Sequence, residues 1–151
     1  MRERVRVYLV RHGKAEREAA GGDAARHLTP EGRALFFALA GALAGRLDLS
    51  RVVTSPFSRA RQTAEILAAA TGARIVENPD LVPGHLTARD LLAFARSQGA
   101  GVALVGHNPE MADAVALAAG HGQKVQPGAV AAVDFAEDGA ELAWIEAPEK
   151  E

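Results

Sequence analysis

The stretch Gly101–Glu110, GVALVGHNPE, decides the fold class. Four apolar residues, Val102 to Val105, lie between two glycines with no polar residue alternating among them. An uninterrupted apolar run of this length reads as a strand covered on both faces. A histidine follows the second glycine, and Asn108-Pro109 then supplies a capping side chain and a proline of the kind that opens a helix. A buried strand that runs straight into a helix is one unit of a parallel sheet.

The same unit recurs on either side of this stretch. Val5–Val10 reads as a first, largely buried strand, ending in Arg11, His12 and Gly13. A polar loop with three glycines, Gly13–Ala25, leads to Thr29-Pro30, a cap and a first-turn proline. Leu35, Phe36, Leu39 and Leu43 give the helix that follows an apolar face. Val52-Val53 is a short second strand, and Ser55-Pro56 repeats the helix-opening pair. Phe57, Ala60, Ala64 and Leu67 recur at helical spacing and are expected to face the core. Ala73–Glu77 is a weaker strand, Asp80–Leu86 a loop, and Thr87 caps a helix through about Arg96. After the helix carrying Met111, Val115 and Ala118 come two strand-like runs, Ala129–Phe135 and Glu141–Ile145. Asp138-Gly139 between them is a hairpin turn signal. The alternation predicts an α/β fold: three layers, α/β/α, with a mostly parallel central sheet and an antiparallel element near the C-terminus.

Composition narrows the function classes. The chain has 151 residues, enough for the single domain expected over 1–151. Its net charge is -2 with both signs interspersed, and no basic block or basic-aromatic stripe is present, so nucleic acid is not expected as a partner. No apolar run approaches the ~20 residues of a membrane span. The N-terminal MRERVRVYLV lacks a signal-peptide pattern, so a cytoplasmic protein is expected. Cysteine is absent, which removes disulfides, thiolate catalysis and cysteine-bound zinc together. No HxH or HExxH spacing occurs, and no metal or other cofactor is expected.

Ligands of open α/β sheets bind beyond the carboxyl ends of the strands. That rule selects Arg11-His12, Ser55–Arg59 and His107-Asn108. Two of these segments open into helix N-termini, which suit an anion. A lone histidine at a strand end is more often structural or exposed than functional. Guanidinium groups, however, match phosphate oxygens and stay charged at any pH, and neutral imidazole can act as a nucleophile toward phosphorus. Arg59 lies in the first helical turn, close to the strand end, where an anion ligand belongs. Arg61, four residues before Glu65, reads as a solvent-facing arginine in a weak ion pair. His27, His85 and His121 lack such placement and read as surface residues.

With these residues in view, the sequence resembles the histidine phosphatase, or phosphoglycerate-mutase-like, superfamily. LVRHG matches the family's nucleophile motif, SPFSRARQTAEIL the helix carrying its second phosphate arginine, and LVGHNPEM the motif of its second histidine. The three occur in the family's order. The short length and the segments ARHLTPEG and NPDLVPGHLTARDLL resemble the short bacterial branch, the SixA-type phosphohistidine phosphatases.

The resemblance implies that His12 attacks phosphorus and becomes transiently phosphorylated. Arg11, Arg59 and His107 would surround the phosphoryl group, and Arg26 would add a contact. Asp80 is the positional candidate for a general acid, with His85 a weaker substitute; a solvated loop aspartate is the alternative for Asp80. The activity implied is a metal-independent phosphatase acting on phosphohistidine in a signalling or phosphotransfer protein, with inorganic phosphate as product. The alternatives are a phosphatase of a small phosphate ester, such as a sugar phosphate or nucleotide-derived metabolite, and a non-catalytic phosphoprotein-binding module. No membrane partner is expected, and the chain is expected to act as a monomer.

Overall fold

The computed structural model describes residues 4–148; residues 1–3 and 149–151, which the expected 1–151 domain includes, lie outside the described residues. The elements run β1 (Val5–Arg11), α1 (Pro30–Leu47), β2 (Arg51–Thr54), α2 (Ser58–Thr71), β3 (Arg74–Glu77), α3 (Ala88–Gln98), β4 (Val102–Gly106), α4 (Glu110–Ala119), β5 (Val130–Ala136) and β6 (Gly139–Glu146). Single 3₁₀ turns lie at Asp23–Ala25 and Pro79–Leu81. The strands form one six-stranded sheet in the order β3-β2-β4-β1-β5-β6. β3, β2, β4 and β1 pair in parallel, and β5 and β6 close the other edge antiparallel. This is the three-layer α/β arrangement expected from the alternation of strand and helix patterns.

Side chains of a strand alternate between faces, and β1 shows what each face covers. Val7 and Leu9 join Leu91 and Ala95 of α3 and Met111, Ala114 and Val115 of α4 in one core. Tyr8 and Val10 join Phe36, Ala40 and Leu43 of α1 and Ala60, Ala64 and Leu67 of α2 in the other. β4 is buried along its whole length, as its unbroken apolar run requires. β3, at the sheet edge, is mostly exposed and carries Arg74 and Glu77, the kind of charged edge that discourages pairing with another chain.

Four local expectations are corrected by packing. On α1 the buried stripe is Phe36, Ala40, Leu43 and Leu47, so Leu35 and Leu39 lie at its margin, half-buried. Ser55-Pro56 does not open α2: the helix starts at Ser58, and Ser55 Oγ instead accepts a hydrogen bond from Phe57 N at 3.2 Å. Phe57 therefore precedes the helix and is half-buried, while Ala60, Ala64 and Leu67 reach the core. At α4 the proline occupies the cap position itself, and Asn108 Oδ1 accepts from Ala112 N at 3.1 Å. Thr29 and Thr87 cap α1 and α3 as expected, accepting from Gly32 N and Asp90 N.

The segment after β1 is pinned to α1. Thr29 N donates to Lys14 O at 3.0 Å, so the first turn of α1 lies directly on the backbone of the RHGK segment. Gly32 permits this approach: a Cβ there would collide with the Lys14 carbonyl oxygen. Elsewhere in a helix a glycine-to-alanine change gains about 0.5–1 kcal/mol. Here the clash is with backbone, which gives way only by displacing the strand end or the helix. Gly32→Ala is accordingly expected to destabilise the protein by about 1–3 kcal/mol in denaturant unfolding, the range of an overpacked core site. A gain in stability would contradict this account of the junction.

Candidate active site

Register brings the site together. Arg11 of β1 pairs with Gly106 of β4, and Thr54 of β2 with Val105, so the three strands end at the same level of the sheet. The zipping continues one residue further: His12 N donates to Gly106 O at 3.1 Å and Ser55 N to Val105 O at 3.0 Å. The His12 and His107 rings thus lie side by side with centroids 5.2 Å apart. Both are buried, at 8 % and 3 % exposure.

His12 is oriented from two directions. Its Nδ1 lies 2.7 Å from the Gly13 carbonyl oxygen, so Nδ1 carries the ring proton and donates. Its Nε2 accepts a hydrogen bond from Arg59 Nε at 3.3 Å. Gly13 N is held by Thr63 Oγ1 at 3.0 Å, and that hydroxyl donates to Arg59 O at 2.8 Å. Thr63 therefore ties the histidine segment to the first turn of α2.

Arg59, only 4 % exposed, spans the site. Its Nη1 donates to Asp23 O at 2.7 Å, and its Nη2 meets Asp23 Oδ2 at 3.1 Å. Asp23 Oδ1 in turn takes Arg26 Nη1 at 2.9 Å, and Arg26 Nε donates to Glu16 O. Arg26 thus reaches the cluster through Asp23. Arg11 donates from Nη1 to Val125 O at 3.0 Å. Phe57 walls one side, its ring edge-on to His107 at 5.3 Å and 5.2 Å from the Arg59 guanidinium carbon.

Two buried side-chain atoms of this cluster have no hydrogen-bond partner among the described residues: Arg11 Nε and His107 Nδ1. Buried donors are nearly always satisfied, so two orphans in one cluster mark a place for an external acceptor. The surrounding charge, from Arg11, Arg26 and Arg59 with Asp23 as the paired carboxylate, suits an anionic acceptor. Among the described residues no group of three or more His, Cys, Asp or Glu side chains is arranged to hold a metal ion.

Asp80 lies beside this cluster. It lines a small cleft with Leu81, Gly106, His107 and Glu110, but its carboxylate is exposed and pairs with His85 Nε2 at 3.3 Å. Glu110 Oε2 on the same cleft accepts from Gly84 N at 2.7 Å, holding the loop against α4. Arg61 is outside the site, against Glu65 and Glu77. His27 and His121 are exposed.

Sequence selects Ser55 only as the start of the segment Ser55–Arg59, with no role in the site, and does not single out Thr63 or Asp23. Ser55 had a signal, its place at the end of β2, but reads there as a helix cap. Asp23 had none, because its position depends on the path of a loop through Gly21 and Gly22.

Burial sets the protonation state. Desolvation pushes the His12 imidazole down to about 4, with Arg59 and Arg11 adding to the shift and the Gly13 carbonyl opposing it. Desolvation takes His107 down to about 3, helped by His12 and Arg59. Asp23 is held below the usual carboxylate range by its hydrogen bond from Arg26 and then by Arg59. At neutral pH the cluster therefore combines two uncharged imidazoles with cationic guanidiniums.

Fold and site define a class, an α/β protein with arginines and paired histidines clustered at the carboxyl edge of its sheet. The chain belongs to the histidine phosphatase superfamily (branch 1), whose sequence pattern matches residues 7–86. A structure of the protein histidine phosphatase SixA complexed with tungstate is 28% identical, with a TM-score of 0.82, covering 95% of this chain and 97% of that one. A SixA structure from Agrobacterium tumefaciens is also 28% identical at a TM-score of 0.82, covering 95% and 98%. An uncharacterized protein of Mycobacterium tuberculosis is 36% identical over 85 residues, 54% of this chain and 42% of that protein. The probable phosphoglycerate mutase GpmB of Serratia proteamaculans is 34% identical over 85 residues, 54% of this chain and 39% of that protein. The match thus spans less than half the length of these curated relatives. Among the described residues no helix is long and apolar enough to cross a membrane.

The pKa depressions have a testable sign. An unfolded imidazole protonates near 6.5, whereas His12 in the native protein does so only near 4. Between these values the unfolded chain binds the extra proton, so native stability is full above about 6.5 and declines as pH falls toward 4. NMR titration of the imidazole C–H signals is expected to show His12 neutral at pH 5.5 and half-protonated near 4. A midpoint near 6.5 would contradict the burial argument.

Proposed function

We propose that the protein is a phosphatase that works through a phosphohistidine intermediate on His12 and acts on phosphohistidine in a partner protein. The observation that carries the reading is the buried, uncharged His12, with its Nδ1 hydrogen-bonded to Gly13 O and its Nε2 facing Arg59. An imidazole held in this tautomer carries its lone pair at Nε2 and needs no base to activate it; Arg59 Nε, which donates to that lone pair, turns to the phosphoryl oxygens as the substrate binds.

Attack by Nε2 forms a nitrogen–phosphorus bond and breaks the bond from phosphorus to the substrate's leaving nitrogen or oxygen. The leaving atom departs with the bonding electrons and a proton. Charge in such a transition state spreads over the equatorial oxygens. Arg11 and Arg59 supply fixed positive charge for them, with the uncharged His107 beside them, and Arg26 extends the cationic field. Water then attacks phosphorus, the phosphoryl–His12 bond breaks, and inorganic phosphate leaves.

The likeness to SixA structures along nearly the whole chain supports phosphohistidine as the substrate. The chemistry is consistent with that choice. A protonated phosphoramidate nitrogen leaves readily, and the carboxylate best placed to serve as an acid, Asp80, is exposed and paired with His85. A second reading, hydrolysis of a small phosphate ester, draws on the similarity to a probable phosphoglycerate mutase and on Asp80 and Glu110 lining the cleft beside His107. In that reading Asp80 would protonate the leaving oxygen.

The test offers a phosphohistidine-bearing phosphotransfer protein, p-nitrophenyl phosphate and a panel of phosphate esters, all with EDTA present. Phosphohistidine is expected to turn over fastest. His12→Ala is expected to abolish turnover, and Arg59→Ala to lower kcat by about 10²–10³-fold. Turnover of esters alone would favour the second reading. Turnover surviving in His12→Ala, or lost with EDTA, would overturn the mechanism. Phosphate binding without turnover would mark a binding module instead.

A further inference from the structure

His107 Nε2 lies 2.8 Å from Ser55 Oγ, and both side chains are buried, Ser55 completely. Ser55 Oγ has one other neighbour within hydrogen-bond range, Phe57 N, which can only donate. The hydroxyl carries one proton of its own. Of its two neighbours among the described residues, only His107 Nε2 can accept that proton, and leaving it unpaired at this fully buried position costs the desolvation of a polar group. The hydroxyl therefore donates to Nε2. A neutral ring accepting at Nε2 must carry its own proton at Nδ1. His107 Nδ1 is one of the two orphaned buried atoms of the site.

From this chain of constraints we infer that Ser55 is a positioning residue that fixes His107 as the Nδ1–H tautomer and so aims a neutral hydrogen-bond donor at the bound oxyanion. The opposite tautomer would place a lone pair at Nδ1, facing the anion and repelling it. The hydrogen bond from Phe57 N fixes the direction of the serine oxygen, and Ser55 N on Val105 O fixes its height above the sheet. Two elements therefore hold the serine in place before any ligand arrives. The consequence for turnover rests on the phosphatase reading above; the tautomer does not.

The test begins with wild-type protein at pH 7, where two-bond ¹⁵N–¹H correlation spectra distinguish a protonated from an unprotonated ring nitrogen. His107 is expected to show a protonated Nδ1 and an unprotonated Nε2. In Ser55→Ala that preference is expected to be lost, and kcat to fall by about 10–100-fold, as for other residues that orient a functional histidine. KM is expected to change less than kcat, since the arginines remain. Ser55→Thr, which keeps the hydroxyl, is expected to retain the Nδ1–H signal. A wild-type ring protonated at Nε2 would overturn the inference without any variant having to fold. So would Ser55→Ala that keeps both the tautomer and kcat. A wild-type protein with the Nδ1–H signal but no phosphatase turnover would support the tautomer assignment while overturning the proposed activity.

Discussion

The pairing of β1 with β4 is the constraint on which the site depends. These strands are buried on both faces, so each has one register that keeps its apolar side chains in their cores. That register sets Arg11 opposite Gly106 and continues through His12 N on Gly106 O. A slip of one residue would turn Val7 and Leu9 from the α3–α4 core toward the α1–α2 core, at a cost far above that of any single contact in the site. The two histidines are therefore adjacent because hydrophobic side chains several residues away have only one acceptable arrangement. β2 is aligned by the same sheet, and it delivers Ser55 and the start of α2.

Electrostatics then decides what this frame can hold. Arg26 and Arg59 approach each other closely enough to share one carboxylate, Asp23. Like charges at this separation repel, and Asp23 offsets the repulsion while fixing the direction of both guanidiniums. Because Asp23 is much more exposed than Arg59, the pair is anchored from the rim inward. Burial keeps both imidazoles neutral amid these cations. The resulting site has its donors directed before a ligand binds, the condition under which oxyanion stabilisation is largest.

Legibility followed the range of the interactions involved. GVALVG and Val7–Val10 carry unbroken apolar runs, and such runs specify both the layer order and the strand ends. His12 and His107 stand just beyond those ends and Arg59 in the first helical turn after β2, so their convergence was legible once the sheet was. The caps of α1 and α3 each join a threonine hydroxyl to the backbone N–H three residues on and were equally plain. Ser55 was harder: Ser-Pro reads as a helix start, but the tertiary contact with His107 holds the serine and delays the helix to Ser58. Phe57 carries the right spacing for the α2 core and yet packs against His107, because the helix begins after it. Asp23 escaped altogether, since a loop residue without periodicity has no partner until the chain around it has folded.

Isolation of the covalent intermediate is the most direct measure of the account. The protein is mixed with excess phosphohistidine-bearing substrate and quenched within milliseconds in alkaline denaturant, which preserves phosphohistidine. Peptide mapping by mass spectrometry then locates the phosphoryl group. One phosphoryl group on the peptide carrying His12, absent when substrate is omitted, is the predicted result. Turnover with the phosphoryl group on another residue, or with none on the protein at any time before substrate is exhausted, would contradict it.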